Sequence, residues 1–121
     1  MSKNPLSEKA IENSILNYLK ILGIFAWKNN VVGIWDNTKR IYRKNNSPYA
    51  ARGSSDIIGI LPDGTFFAIE VKARYGKPSQ EQTQFINNVI KNRGLALVAK
   101  SLSDVQRFLE ENGYATRVIN T

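Results

Sequence analysis

Residues 53–72, Gly-Ser-Ser-Asp-Ile-Ile-Gly-Ile-Leu-Pro-Asp-Gly-Thr-Phe-Phe-Ala-Ile-Glu-Val-Lys, constrain this chain more than any other stretch. Two apolar runs, 56–61 and 66–71, flank Pro62-Asp63-Gly64. Proline presets φ, aspartate bonds to nearby backbone and glycine accepts positive φ, so the tripeptide signals a turn. The stretch therefore predicts a β-hairpin. Charges break its apolar pattern at the open end only. Asp56 begins the first run, while Glu70 and Lys72 close the second. Side chains alternate along a strand, so Glu70 and Lys72 share one face while Ile69 and Val71 take the other. Folding about Asp63 brings Asp56 opposite Glu70, to within one residue of register. Two carboxylates and an ammonium then converge. Like charges held close are unfavourable alone, and a divalent cation relieves that cost. Hard oxygen ligands suit Mg²⁺ or Mn²⁺. Lys72 would stand beside the cation, within reach of an attacking water or a phosphate oxygen. A plainer reading makes the same end a solvated Glu–Lys pair with a turn-capping aspartate.

Composition narrows the chemistry. The 121 residues include no cysteine and no histidine. This excludes a Cys/His zinc site, a thiol nucleophile and a histidine base. A metal site must therefore be built from carboxylates, carbonyls and water. With 42% hydrophobic residues the chain can bury a core without disulfides, and its length suits one domain spanning 1–121. Seventeen Lys and Arg against ten Asp and Glu leave a net charge of +7. Such a balance points first to nucleic acid and second to an anionic membrane surface. No apolar run approaches the ~20 residues of a spanning helix. The leading Met-Ser-Lys-Asn-Pro lacks the apolar centre of a signal peptide, so the expectation is a soluble, cytoplasmic protein.

Along the chain, residues 1–6 suggest a short lead and Ser7 an N-cap. Ile11, Ile15, Tyr18, Leu19 and Leu22 make a helical apolar stripe that Gly23 should end. Glu12 borders that stripe, either as a surface acid or turned inward to the rim of a site. Residues 24–28 predict a strand with Phe25 and Trp27 on one face. Residues 31–35 continue it or pair with 40–43 across Asp36-Asn37-Thr38. From 39 to 52 the chain is basic, with Lys39, Arg40, Arg43, Lys44 and Arg52 interleaved with Tyr42 and Tyr49. This suits a phosphate-contacting loop, or a merely soluble one. Arg74 and Lys77 lie in a second basic loop. Ser79-x-x-Gln82 matches a capping box, with Phe85, Ile86, Val89 and Ile90 as the buried face and Gly94 as the stop. Residues 95–100 predict a buried strand, and Ser101 or Ser103 caps a last helix ending at Asn112-Gly113. Residues 114–119 suggest an edge strand. The unit from 66 to 99 should be a right-handed crossover with parallel strands.

Gly53-x-x-Asp56 followed by Glu70-x-Lys72, in the order helix–β–β–β–helix–β, resembles the PD-(D/E)xK nuclease superfamily. Within it, the chain is most similar to the standalone form of the virus-type replication–repair nuclease (VRR-NUC) family. Glu12 ahead of Gly23-Ile-Phe, the basic aromatic-containing segment, and Ser79-x-x-Gln82 followed by Phe85 and Gly94 also fit. The likeness covers residues 7–109. Ser55 stands where the superfamily's name has proline.

The resemblance implies an α/β, restriction-endonuclease-like core: a mixed β-sheet flanked by helices, αβββαβ plus a C-terminal helix. It implies Mg²⁺- or Mn²⁺-dependent hydrolysis of DNA phosphodiesters in replication or repair, by a protein of viral or mobile-element origin. Asp56, Glu70 and the Val71 carbonyl would bind the metal. Lys72 would orient the water, and Glu12 would join through a metal-bound water or a second ion. Gln82 would be an accessory catalytic residue, though capping explains it equally well. Family members of this form resemble Holliday-junction resolvases, which implies branched DNA and a homodimer, with Trp35, Phe25 and the last helix as candidate faces. A non-catalytic nucleic-acid-binding module and a sequence-specific or nicking endonuclease are the alternatives.

Overall fold

A computed structural model describes residues 6–29, 34–43 and 48–114, with the backbone alone at 34–36 and 41–43. Helix α1 (Glu8–Ile21) starts where the Ser7 side chain accepts the Ala10 N–H, and it ends at Gly23, whose φ is 76°. Glu8 in its first turn and Lys20 in its last complement the helix dipole. Its stripe turns Ile11, Ile15 and Leu19 into the core, with Tyr18 and Leu22 packed alongside.

Strand β1 (Phe25–Lys28) follows, then β2 (Ile34–Asp36) and β3 (Ile41–Arg43), β4 (Ile57–Ile60) and β5 (Phe66–Val71). Helix α2 (Gln80–Lys91), β6 (Leu95–Ala99) and α3 (Leu102–Glu111) complete the order. Four strands form one mixed sheet in the order β1-β4-β5-β6, antiparallel except for the parallel β5–β6 pair. β2 and β3 pair antiparallel as a separate ribbon, Ile34 opposite Arg43 and Asp36 opposite Ile41. The expected hairpin is β4–β5. Its turn is closed by Leu61 N–H donating to Thr65 O and by Asp63 Oδ1 accepting the Thr65 N–H. Tyr114 Oη donates to Asp63 Oδ2 at 2.7 Å, tying the turn to the end of α3. That bond holds the Asp63 carboxyl below its ordinary range and lifts the Tyr114 phenol above its own.

Residues opposite one another in a ladder share a sheet face. One face carries Ile57, Phe67, Ile69, Val71 and Ala99, and α1 and α3 cover it with Ile11, Ile15, Leu19, Val105 and Leu109. The other face carries Phe25, Trp27, Ile58, Ile60, Phe66 and Ala68, and α2 covers only its β5–β6 half. The sheet is thus α/β and mixed, flanked by three helices.

Two local expectations change. Ile90 is 52% exposed, because among the described residues α2 lies alone on its face and its outer flank has nothing to pack on. β6 is half-buried rather than fully buried, being an edge strand among the described residues. The left-handed residue after α2 is Arg93, with φ 71°, not Gly94. Gly94 is needed for room: a Cβ there would lie 2.7 Å from Val89 Cγ1 and 3.0 Å from the Phe66 carbonyl oxygen. Ser101, not Ser103, caps α3 by accepting the Asp104 N–H. The expected strand at 114–119, the lead at 1–6 and the run 31–35 fall largely outside the described residues. No helix among the described residues is long and apolar enough to cross a membrane.

Candidate functional site

β4 and β5 bring Asp56 and Glu70 together as the alternation requires. One step beyond the Ile57–Ile69 pair sets Asp56 opposite Glu70. The carboxylates are close enough for Asp56 to raise the Glu70 pKa both by charge and by a shared proton. Glu70 is 1% exposed, and its Oε1 has no hydrogen-bond partner. Lys72 Nζ stands 3.5 Å from its Oε2. Burial, then Asp56, push the Glu70 carboxyl from the ordinary 4.5 up to about 7, and Lys72 only partly offsets them.

The loop before β4 is held as firmly as the strands. Asp56 Oδ2 accepts the Val71 N–H at 2.8 Å, so the aspartate reaches across the ladder to the strand that carries Glu70. Asn29, just past β1, has three bonds to this loop. Its backbone N–H donates to Asp56 O at 2.7 Å, and its Nδ2 donates to Ser54 Oγ at 2.9 Å and to Ser55 O at 3.1 Å. Glu8 Oε2 accepts the Ala73 N–H, fixing the chain just after Lys72. Asn29 did not stand out in the sequence, and Glu8 did so only as an acid suited to the first turn of α1. Each acts on backbone that is near in space and 25 or more residues away in sequence, a relation no local motif carries. Replacing Asn29 by alanine strips donors from Ser54 and Ser55, and the expected loss of stability is about 1–3 kcal/mol in urea unfolding. An unchanged midpoint would show that Asn29 does not pin the loop.

Glu12 does turn inward, at 8% exposure, but toward Lys28, whose Nζ lies 3.2 Å from its Oε2. Lys28 is opposite Ile57, on the face of the sheet that α1 and α3 cover, while Asp56 and Glu70 alternate onto the other. Among the described residues no group of three acidic side chains is gathered for a cation, so the donor set the fold assembles is Asp56 and Glu70. This pair fits a divalent ion in two respects: a buried carboxylate oxygen without a partner, and a raised pKa that a cation would reverse. Gln82 completes the capping box, its Oε1 accepting the Ser79 N–H while the Ser79 hydroxyl accepts the Gln82 N–H. Its backbone nevertheless lies against Gly53, so the start of α2 abuts the site loop.

Lys39, Arg40, Arg52, Arg74 and Lys77 are exposed. The Arg43 side chain and all of Lys44 lie outside the described residues. Arg74 stacks its guanidinium 5.2 Å from the Tyr75 ring centre and accepts Lys100 Nζ at its carbonyl. Arg74 and Lys100 also rim a cavity of about 530 Å³ beside Leu6 and Ile11, which holds no carboxylate and is separate from the acidic pair.

The chain matches no protein-family model, no curated protein and no solved structure.

Proposed function

We propose that this chain is a metal-dependent DNA endonuclease with a restriction-endonuclease-like core of the VRR-NUC kind. In this reading it acts as a homodimer on branched DNA such as four-way junctions. The observation that carries the proposal is the convergence of Asp56, Glu70 and Lys72, with Glu70 buried, its Oε1 unpartnered and its pKa raised. A structural ion pair has no need of a second carboxylate against Glu70. A Mg²⁺ or Mn²⁺ ion held by Asp56 and Glu70, with the Val71 carbonyl, would lower the pKa of a bound water and offset charge on the phosphate.

The protein's own groups supply the rest. Asp56 and Glu70 hold their oxygens on neighbouring strands, fixed by the Val71 and Asn29 hydrogen bonds. Lys72 places a positive charge beside Glu70, suited to orienting a water or a non-bridging phosphate oxygen. The exposed cations at 39–40, 52, 74 and 77 would bind backbone phosphates without reading bases, consistent with recognition by shape. A two-fold dimer would set two such centres against two strands of a junction. The Glu12–Lys28 pair favours a second reading, a nucleic-acid-binding module without catalysis, because it leaves the acidic set at two.

The test is cleavage of a four-way junction, a flap, a duplex and a single strand in Mg²⁺ and then Mn²⁺, beside Glu70→Ala. Paired symmetric nicks in the junction, lost in Glu70→Ala, are expected. Metal-dependent cleavage that survives in purified Glu70→Ala would overturn the site. Junction binding without cleavage of any substrate would move the assignment to the binding module.

A further inference from the structure

The face of the sheet that carries Asp56 and Glu70 also carries an exposed apolar patch. On edge strand β1, Phe25 is 66% and Trp27 is 41% exposed, and their ring centres lie 5.0 Å apart at 47°. Phe25 stands opposite Ile60, and Ile60 opposite Phe66, both of them exposed. Trp27 stands in the next row, with Ile58 and Ala68. One further two-residue step along the strands, about 7 Å, reaches the row of Asp56 and Glu70. Phe25, Trp27, Ile58 and Asp56 therefore follow one another in a track along the half of this face that α2 leaves uncovered, with Glu70 buried beside Asp56.

Exposed apolar patches of this kind mark interaction surfaces. The occupant must share the track with whatever reaches Glu70. A second copy of the chain seated on Trp27 would close the approach to the carboxylates. A nucleic-acid strand would occupy both, its base on the rings and its phosphate at the acidic pair. The net charge of +7 favours the same polyanion. Aromatic rings stack any base, but in a duplex the base faces are already taken by their neighbours.

We infer that Phe25 and Trp27 form a stacking platform for an unpaired nucleotide adjoining the phosphodiester at Asp56 and Glu70. The inference rests on the nuclease reading for the position of that phosphodiester. Within branched DNA it narrows the substrate to branch points at which a nucleotide is unpaired, or unstacks on binding, next to the cut.

Binding in EDTA tests the platform apart from catalysis. A short single strand containing 2-aminopurine and a blunt duplex of equal length would be titrated with the wild type, Trp27→Ala, Phe25→Ala and Trp27→Tyr. The expected result is quenching of 2-aminopurine by the wild type and by Trp27→Tyr. Each alanine variant should lose about tenfold in single-strand affinity with duplex affinity unchanged. Both side chains are exposed, so folding should survive, and thermal melts check this. No quenching by the wild type, or equal losses on both DNAs, overturns the platform. So does unchanged single-strand affinity in Trp27→Ala when sedimentation shows a wild-type dimer falling to monomer, which assigns the patch to a second copy. A nuclease without a platform would still cleave in the metal panel, and a platform without a nuclease would still quench, so the two failures are distinct.

Discussion

Glu70→Gln should stabilise the metal-free protein at pH 8 and leave it nearly unchanged at pH 4. The reason is the buried carboxyl. Its folded pKa is about 7 against an ordinary 4.5, raised by burial and then by Asp56. The folded chain therefore keeps a proton that the unfolded chain has released. Stability is greatest below 4.5, falls as pH rises between the two values, and reaches its floor above about 7. A difference of that size corresponds to about 3 kcal/mol, as an order of magnitude. Glutamine resembles the protonated acid, so it removes the penalty where the penalty exists. The melting temperature at pH 8 should rise by on the order of 10 °C, measured with chelator present. Mg²⁺ or Mn²⁺ should restore the wild type at pH 8 by binding the folded state, and should not act on Glu70→Gln. Equal melting temperatures for the two proteins at both pH values would show that Glu70 carries no such strain.

Gly53→Ala should cost about 2–4 kcal/mol in urea unfolding, and Gly64→Ala should cost only about 1 kcal/mol. Both glycines have positive φ, 70° and 92°. They differ in surroundings. A Cβ at Gly64 meets nothing within 4 Å. One at Gly53 would overlap the backbone of Glu81 and lie 2.6 Å from Gln82 N, where the first turn of α2 presses on the loop. Neither obstacle is a flexible side chain, so the loop or the helix must move. Because Asp56 is three residues on, Gly53→Ala should also remove the stabilisation by Mg²⁺. Equal losses at the two positions would mean that φ alone accounts for Gly53.

The Gly-x-x-Asp spacing thus has a physical meaning here, though the sequence shows only the pattern. The hairpin, its turn, Ser7, the Ser79–Gln82 box and the apolar stripe of α1 were legible because each is written in residues a few positions apart. The alternation that set Glu70 across from Asp56 was legible for the same reason. Asn29, Glu8 and the Glu12–Lys28 pair were not, since their partners come from distant strands and a lone Asn or Glu has many uses. The exposure of Ile90 was hidden too, because periodicity marks a helix face but not how much of it a sheet will cover. Gly94 shows the converse: it was legible as the stop of α2, but the close packing against Val89 and Phe66 that requires a glycine there was not.

The bond from Val71 to Asp56 has a further consequence, in denticity. With Oδ2 engaged by a backbone N–H, Asp56 has only Oδ1 uncommitted to the strand ladder. Oδ1 would then be its freer oxygen for a cation. Asp56, Glu70 and the Val71 carbonyl would leave part of such an ion's coordination to water, and magnesium gives up its waters reluctantly. An ion held here would keep much of its hydration shell, leaving those positions to exchange between water and the oxygens of an arriving phosphate.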